Sequence, residues 1–324
     1  MEPPWTARRH EKWYNPPSGS TEDHTMTRRI YAGFPAALIA LVSFLFVSPC
    51  RAADVDRPVE DAAKFKLQTK ANPALPTLYL IGDSTMKVGT AGQRGWGEEL
   101  APFFDPKKIN VVNQAIGGRS SRTYQTEGRW DAALAMIEKG DFVIIQFGHN
   151  DASPVNEDPP VTAGTRARGT IKGVGEETQE VDNILTKKHE VVHTFGWYMR
   201  KYVTDVKARG ATPIVFSLTP RNNWRDGKIV RASGDNYGGW AQQVAEATGA
   251  IFVDDNEIIA EGLDKLGPDK TLPLFADKKL HFSPEGAAFA AKMAVSGLKS
   301  IAGKPLDEYL SDAGKQVPAF ERVK

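Results

Sequence analysis

The feature that most restricts what this chain can fold into is a recurring alternation of two sequence patterns. Short, nearly continuous apolar runs rich in β-branched residues, bounded by turn residues, alternate with stretches of helical periodicity. The runs are Leu78 to Ile81, Ile109 to Asn113, Phe142 to Phe147, Pro213 to Leu218 and Ile251 to Val253. Such runs suit strands buried on both faces of a parallel sheet. Helix patterns lie between them, around Trp96 to Phe104, Trp130 to Glu138, Thr194 to Ala208 and Tyr237 to Thr248, and a last one spans Pro284 to Ile301. In "GWYMRKYVTDVKARGA" the apolar stripe carries Trp197, Val203 and Val206, and Gly210 stops the helix. Strand and helix alternate throughout, so the expected class is α/β with a three-layer α/β/α arrangement. No internal repeat or second core pattern is visible, and one catalytic domain over residues 76–324 is expected.

Two segments break the rhythm. Residues 152–190 are polar, rich in Gly and Pro, and follow directly on a strand end. A loop of that length inside a compact domain is usually functional, and strand C-termini form the rim where ligands bind in open α/β sheets. The insertion is therefore expected to overhang a site. The N-terminus is the second case. Residues 1–25 are polar and without periodicity, and are expected to be an upstream, disordered extension before a start at Met26. Arg28 and Arg29 then precede an apolar run from Ile30 to Val47, and a small-residue exit ends at Ala52. That layout, residues 26–52, is a secretory signal peptide, and implies a secreted or periplasmic protein. An uncleaved anchor is the alternative, since a run of about 18 apolar residues can just span a bilayer. Pro35 inside the run and the cleavage-type exit favour removal, leaving no stable membrane association. Residues 53–75 form a leader or linker ending in "ANPALP".

Composition limits the chemistry further. Cys50 is the only cysteine and lies in the signal segment, so a processed chain has no disulfide, thiol nucleophile or cysteine metal site. With 41 basic and 40 acidic residues the net charge is +1, which gives no general attraction to nucleic acid or an anionic membrane. Recognition must come from a local site.

Four patches at strand ends or helix edges could supply one: Gly82-Asp83-Ser84, "NQAIGGRSSR" over Asn113 to Arg122, "QFGHND" over Gln146 to Asp151, and "ADKKLHFSPEGA" over Ala276 to Ala287. A serine needs a base to become nucleophilic, and histidine has a suitable pKa. His281 precedes Ser283-Pro284, a helix N-cap with proline at the first helical position. Asp277 is close enough in sequence to orient it. Ser84, Gly118 and Asn150 could provide the oxyanion donors that an ester's tetrahedral intermediate requires. Each residue alone has an ordinary explanation: Ser84 as a helix cap, the glycines as turns, Asn150 and Asp151 as turn residues, His281 as a structural histidine. Together they complete a mechanism, and that outweighs the separate explanations. His149 and Asp151 are read as structural neighbours. No second cluster with ligand spacing accompanies them, so no metal site is expected.

The arrangement lacks the second glycine of a G-x-S-x-G elbow, because Met86 stands there. It resembles instead the SGNH, or GDSL-type, hydrolases, whose four blocks carry Ser, Gly, Asn and His in that order, here Ser84, Gly118, Asn150 and His281. The blocks "YLIGDSTM", "GWGEEL", "VVNQAIGGRSSRTYQTEGRW", "GDFVIIQFGHND", "TPRNNW" and "HFSPEGA" are similar to the rhamnogalacturonan acetylesterase branch, in order, over about residues 76 to 301. The resemblance implies a flavodoxin-like sheet of five parallel strands, a serine esterase mechanism without a cofactor, and acetylated plant cell-wall polysaccharide as substrate. It implies that Ser84 attacks, His281 acts as base, and Ser84 N–H, Gly118 N–H and the Asn150 side chain bind the oxyanion. In the family pattern an Asp three residues before the His orients it. Here that position is Lys278, and the acid, Asp277, stands four before. Either the loop holds one extra residue and Asp277 still reaches the imidazole, or a backbone carbonyl orients His281.

For the sugar itself, Trp224 in the "TPRNNW" loop is the candidate stacking residue, whereas Trp96 and Trp130 fit the core. Arg119, Arg122 or Arg221 could pair with a uronate carboxylate, or could be structural ion pairs. Two other readings of the same motifs are an SGNH lipase or thioesterase acting on acyl chains, and a non-catalytic carbohydrate-binding protein on the same fold.

Overall fold

The computed structural model describes residues 65–157 and 167–322. The expected upstream extension, the signal segment with Cys50, and the leader up to residue 64 lie outside them. The described strands are β1 (Thr77–Gly82), β2 (Asn110–Asn113), β3 (Phe142–Gln146), β4 (Thr178–Asp182), β5 (His189–His193), β6 (Thr212–Phe216), β7 (Trp224–Arg225), β8 (Lys228–Ile229) and β9 (Ile251–Val253). Five of them form one sheet in the order β2-β1-β3-β6-β9, every pair parallel. This is the flavodoxin-like order. Leu80 pairs with Asn113 on one side and with Ile144 on the other, so β1 sits where the strand order reverses. The crevice beyond the C-terminal ends of β1 and β3 is where such sheets bind ligands.

The helices beside the sheet are α1 (Ser121–Thr126), α2 (Arg129–Leu134), α3 (Phe195–Ala208), α4 (Tyr237–Thr248), α5 (Asp255–Leu266) and α6 (Pro284–Lys299). The strand period of two divides the core into two layers. Leu78, Leu80, Ile144, Ile214 and Phe216 face α5 and α6, where they meet Ile259, Leu263, Ala290 and Ala294. Tyr79, Ile81, Val143, Ile145 and Val215 face the opposite layer with Tyr124, Trp130, Met199, Tyr202 and Trp240. Both faces being covered is why these strands are apolar at nearly every position. Polar side chains cap the helices: Thr194 accepts from Trp197 N–H, Asn236 from Tyr237 N–H, and Ser283 from Gly286 N–H.

Three departures from the expected elements stand out. Trp96 to Phe104 forms two single 3-10 turns, Trp96–Glu98 and Ala101–Phe103, rather than a helix. Pro102 disfavours the helical conformation at the residue before it and has no N–H to donate, and Trp96 N–H is taken by Thr85 O at 2.9 Å. Helix α5 was not anticipated, although Asp254 caps it by accepting from Glu257 N–H. The third departure is in residues 152–190, which do not form only a loop: β4 and β5 pair there as an antiparallel hairpin.

The hairpin is fixed to the body by Arg122. Its side chain is fully buried, with Nη1 donating to Val155 O and Gly169 O at 2.9 Å each, while Nε and Nη2 donate to Glu190. Arg122 is thus a structural ion pair and unavailable to a uronate. Arg122→Ala should destabilise the fold by about 3 kcal/mol, because it leaves a largely buried carboxylate and two carbonyls without their donor. Urea unfolding monitored by tryptophan fluorescence measures this, and a loss under 1 kcal/mol would contradict it.

Asp255 gives the fold a pH dependence of known sign. Burial pushes its carboxyl from 3.8 up to about 8, against the pull of the Gln146 side-chain N–H donated at 2.9 Å. Between those two values the folded chain holds a proton that the unfolded chain has lost. The contribution is therefore full below the unfolded value and is lost as pH rises through the folded one. Asp255→Asn removes this dependence, so its urea midpoint relative to wild type should climb between about pH 5 and pH 9. A constant difference across that range would refute the assignment.

Candidate active site

The site is built on the end of β1. Gly82 is required there, since a Cβ would lie 2.8 Å from Gln146 O of β3 and 3.1 Å from Met86 Sδ. The chain then turns sharply. Met86 N–H and Lys87 N–H donate to Asp83 O, and the Asp83 carboxylate accepts from Thr85 N–H and Thr85 Oγ1 at 2.9 Å each. This turn presents Ser84, itself largely buried, toward the cavity at the rim.

Ser84 Oγ lies 2.9 Å from His281 Nε2, and His281 Nδ1 lies 2.6 Å from Asp277 Oδ2. The acid four residues before the histidine therefore reaches the ring. Lys278 makes this possible by adopting a left-handed conformation, φ +62°, which takes up the extra residue in the loop. The other Asp277 oxygen accepts from Lys279, Leu280 and His281 N–H at 2.9, 2.7 and 3.0 Å. Partial burial raises the Asp277 carboxyl, but Leu280 N–H, the His281 ring and the other two N–H groups outweigh it and hold it at about 2. Asp277 is accordingly an anion throughout the neutral range.

The loop "TPRNNW" grips this turn from outside. Asn222 N–H donates to Lys279 O at 2.8 Å and Asn222 Nδ2 to Lys278 O at 3.0 Å. Trp224 Nε1 in turn donates to Asn222 Oδ1 at 2.8 Å. Trp224 thus steadies the clamp and packs against the core beside it, and it lines neither of the cavities described below. The role of Asn222 was not legible in the sequence, because its partners are main-chain carbonyls.

The second and third blocks close over Ser84. A Cβ on Gly117 would be only 3.5 Å from Ser84 Cβ, and Gly118 takes φ +81°, where a side chain is strained. Among the described residues, neither Ser84 N–H nor Gly118 N–H has a hydrogen-bond acceptor. Asn150 Nδ2 donates to Arg119 O at 2.9 Å and, more weakly, to Asp83 Oδ2 at 3.3 Å. Asp151 accepts from Ser121 N–H and Oγ, tying this block to the start of α1.

Burial shapes the electrostatics around the serine. It pushes the Asp151 carboxyl up to about 7 against the Ser121 bonds, and pushes Asp83 up against those from Thr85. Burial and the nearby Arg221 guanidinium drive His149 down to about 3, so this ring is neutral, with Nε2 3.1 Å from Thr219 Oγ1.

Ser84 and His281 open onto a cavity of about 530 Å³ that is also lined by Thr90, Gln93, Gly118, Asn150, Arg168 and Arg221. Arg168 comes from the 152–190 insertion and donates to Gly118 O at 2.8 Å. The insertion therefore reaches the site, as expected from its position, but through a residue the sequence did not single out. Of the arginines considered for substrate contact, Arg221 lines the cavity, whereas Arg119 is engaged by Glu127 and Gly117 O. Trp96 and Trp130 are core residues, bonded through Nε1 to Gln146 and Asp205. Among the described residues no group of three or more His, Cys, Asp and Glu side chains is placed to hold a metal ion.

A Ser–His–Asp chain at the C-terminal rim of a doubly wound sheet, beside unengaged backbone N–H groups, has the geometry of a serine-hydrolase site. Comparison with known proteins narrows the class. The sequence pattern of the GDSL-like lipase/acylhydrolase family matches residues 80–289, and the chain belongs to that family, a family of carboxylic ester hydrolases. A rhamnogalacturonan acetylesterase of Emericella nidulans is 33% identical over 215 residues, covering 66% of this chain and 81% of that protein. YesY of Bacillus subtilis, a probable rhamnogalacturonan acetylesterase, is 29% identical over 238 residues, covering 71% and 95%. The crystal structure of Bacillus subtilis YxiM superposes with a TM-score of 0.55 at 26% identity, covering 71% of this chain and 58% of that one. This chain thus spans little more than half the length of YxiM.

Asn222→Ala should loosen the Lys278–Lys279 turn and lower kcat about 10-fold while changing KM little, since a small misplacement of the base is costly. Steady-state kinetics on an aryl acetate measures this. A KM effect without a kcat effect would contradict a positioning role.

Proposed function

We propose that this chain is an exported carbohydrate acetylesterase that removes acetyl groups from pectic polysaccharide, with rhamnogalacturonan as the leading substrate. The observation that carries the reading is the continuous hydrogen-bonded path from Ser84 Oγ through His281 to Asp277, opening on a polar cavity. Ser84 Oγ attacks the acetyl carbonyl as His281 Nε2 takes its proton, and the Asp277 anion stabilises the imidazolium. The oxyanion is met by Ser84 N–H, Gly118 N–H and Asn150 Nδ2, the last exchanging its longer bond to Asp83 for the developing charge. Protonated His281 returns the proton to the departing sugar oxygen. The same base then activates water, which splits the acetyl-serine and releases acetate. No step calls for a cofactor.

The substrate class rests on the named activities of the Emericella and Bacillus relatives together with the cavity lining. Thr90, Gln93, Asn150, Arg168 and Arg221 suit hydroxyls and charge better than an acyl chain. The reading that the protein is secreted or periplasmic rests on the sequence layout of residues 26–52. The even charge balance supports neither a nucleic-acid nor a membrane partner.

Acetate release from acetylated rhamnogalacturonan, pectin and xylan tests the proposal. Ser84→Ala should lower turnover by on the order of 10⁴-fold or more, and Asp277→Ala by about 10³- to 10⁴-fold. Hydrolysis of aryl octanoate in preference to aryl acetate, or full activity in Asp277→Ala, would sink it.

A further inference from the structure

Two guanidinium groups hold the main chain beside Ser84. Arg119 Nη1 donates to Gly117 O at 3.0 Å, and Arg168 Nη1 donates to Gly118 O at 2.8 Å. We infer that this pair sets the Gly117–Gly118 peptide as an oxyanion donor, and that Arg168, which belongs to the 152–190 insertion, is a positioning residue for the reaction. The inference rests on the serine esterase reading and adds to it the groups that aim its oxyanion site.

The local sequence leaves this peptide free to turn, because two successive glycines carry no side chain to restrict it and Gly118 already sits at φ +81°. In a trans peptide the C=O and N–H point in opposite directions. Whatever holds Gly117 O therefore directs Gly118 N–H. Arg119 holds it from an anchored position, since its Nε donates to Glu127 Oε2 at 3.1 Å just past the end of α1. The next carbonyl, Gly118 O, is held by Arg168, and the one after, Arg119 O, by Asn150 Nδ2 at 2.9 Å. Three consecutive carbonyls are thus engaged, while Gly118 N–H has no acceptor among the described residues. An N–H whose own carbonyl accepts from a cation is also a better donor, because the two bonds polarise one another.

Arg168 can act as a fixed strut because its own segment is fastened to the chain that follows β3. Gly169 N–H donates to Pro154 O at 2.9 Å, Thr170 N–H to Asp151 O at 3.1 Å, and Arg122 Nη1 to Gly169 O at 2.9 Å. The packing is close enough that a Cβ on Gly169 would collide with Ser153 O. Arg168 Nε in turn donates to Ser153 Oγ at 3.1 Å. The guanidinium therefore spans from the loop that carries Asn150 to the loop that carries Gly118. Those loops supply two of the proposed oxyanion donors, Asn150 Nδ2 and Gly118 N–H, and the strut holds them in register. Donors set in advance need no reorganisation as charge develops, so loss of the strut falls on the transition state rather than on substrate binding.

Steady-state hydrolysis of an aryl acetate, which has no sugar to contact the cavity wall, tests the role of the strut in the full chain. Arg168→Met should lower kcat about 30-fold and change KM little, less than the loss of an oxyanion donor itself. Arg168→Lys, which keeps a charged donor, should recover a large part of that loss. Ser153 lines neither cavity. Ser153→Ala should nonetheless lower kcat about 3-fold, by loosening the guanidinium, and leave thermal unfolding unaltered. A loss carried by KM alone, an unchanged kcat in Arg168→Met, or no recovery in Arg168→Lys overturns the inference. If Arg168→Met fails to fold, full kcat in Ser153→Ala overturns it. Failure of the esterase reading would show in the wild type instead, as aryl acetate hydrolysis that is absent or insensitive to a serine-directed inhibitor.

Discussion

The geometry of the site depends on two adjacent residues after β3 that bind three loops into one unit. Asn150 donates to Arg119 O in the loop after β2 and to Asp83 in the turn after β1. Asp151 accepts from Ser121 at the start of α1. The loops follow three neighbouring parallel strands, and nothing in the sheet itself determines how their tips meet. Buried polar groups do, and burial is what makes them selective: an unpaired carboxylate or amide there would cost more than the bond returns. The same burial pushes the Asp151 carboxyl above its ordinary value. Rigidity at the serine is thus bought with groups that are themselves expensive to bury.

The His281 ring and the Asp277 carboxylate are held by another device. The His281 loop lies beyond the sheet, just before α6, and has no parallel strand to index it. Its shape comes from Asp277 gathering three successive N–H groups, from the left-handed Lys278, and from Asn222 pinning the two following carbonyls. One carboxylate therefore folds its own loop with one oxygen and orients the imidazole with the other.

What was legible in the sequence follows these differences. The five parallel strands announced themselves because double-sided burial leaves almost no polar position in them, as in Val143 to Ile145. Ser84, Gly118, Asn150 and His281 were visible because their residue types sit after strands or, for His281, just before a helix, in an order that completes a reaction. The β4–β5 hairpin was not visible: β4 buries only Val181, so it carries no alternation that marks a strand. Whether Asp277 could reach His281 turned on one backbone dihedral at Lys278, which spacing does not encode. The arginines were ambiguous for a related reason. A charged side chain does not advertise whether it faces solvent, as Arg221 does, or a buried partner, as Arg122 does with Glu190.

The segment from residue 152 to residue 190 contributes no strand to the five-stranded sheet, yet it delivers Arg168 to the catalytic cavity. It is tied to the body by Arg122, which bonds Val155, Gly169 and Glu190, and by Arg168, which donates to Gly118 O. Length can be added to such a tethered excursion cheaply, since doubling a loop costs only about 0.6 kcal/mol in closure entropy. A change in the length or charge of this excursion would therefore reshape the wall of the cavity through Arg168 and leave the packing of the sheet that carries Ser84 undisturbed.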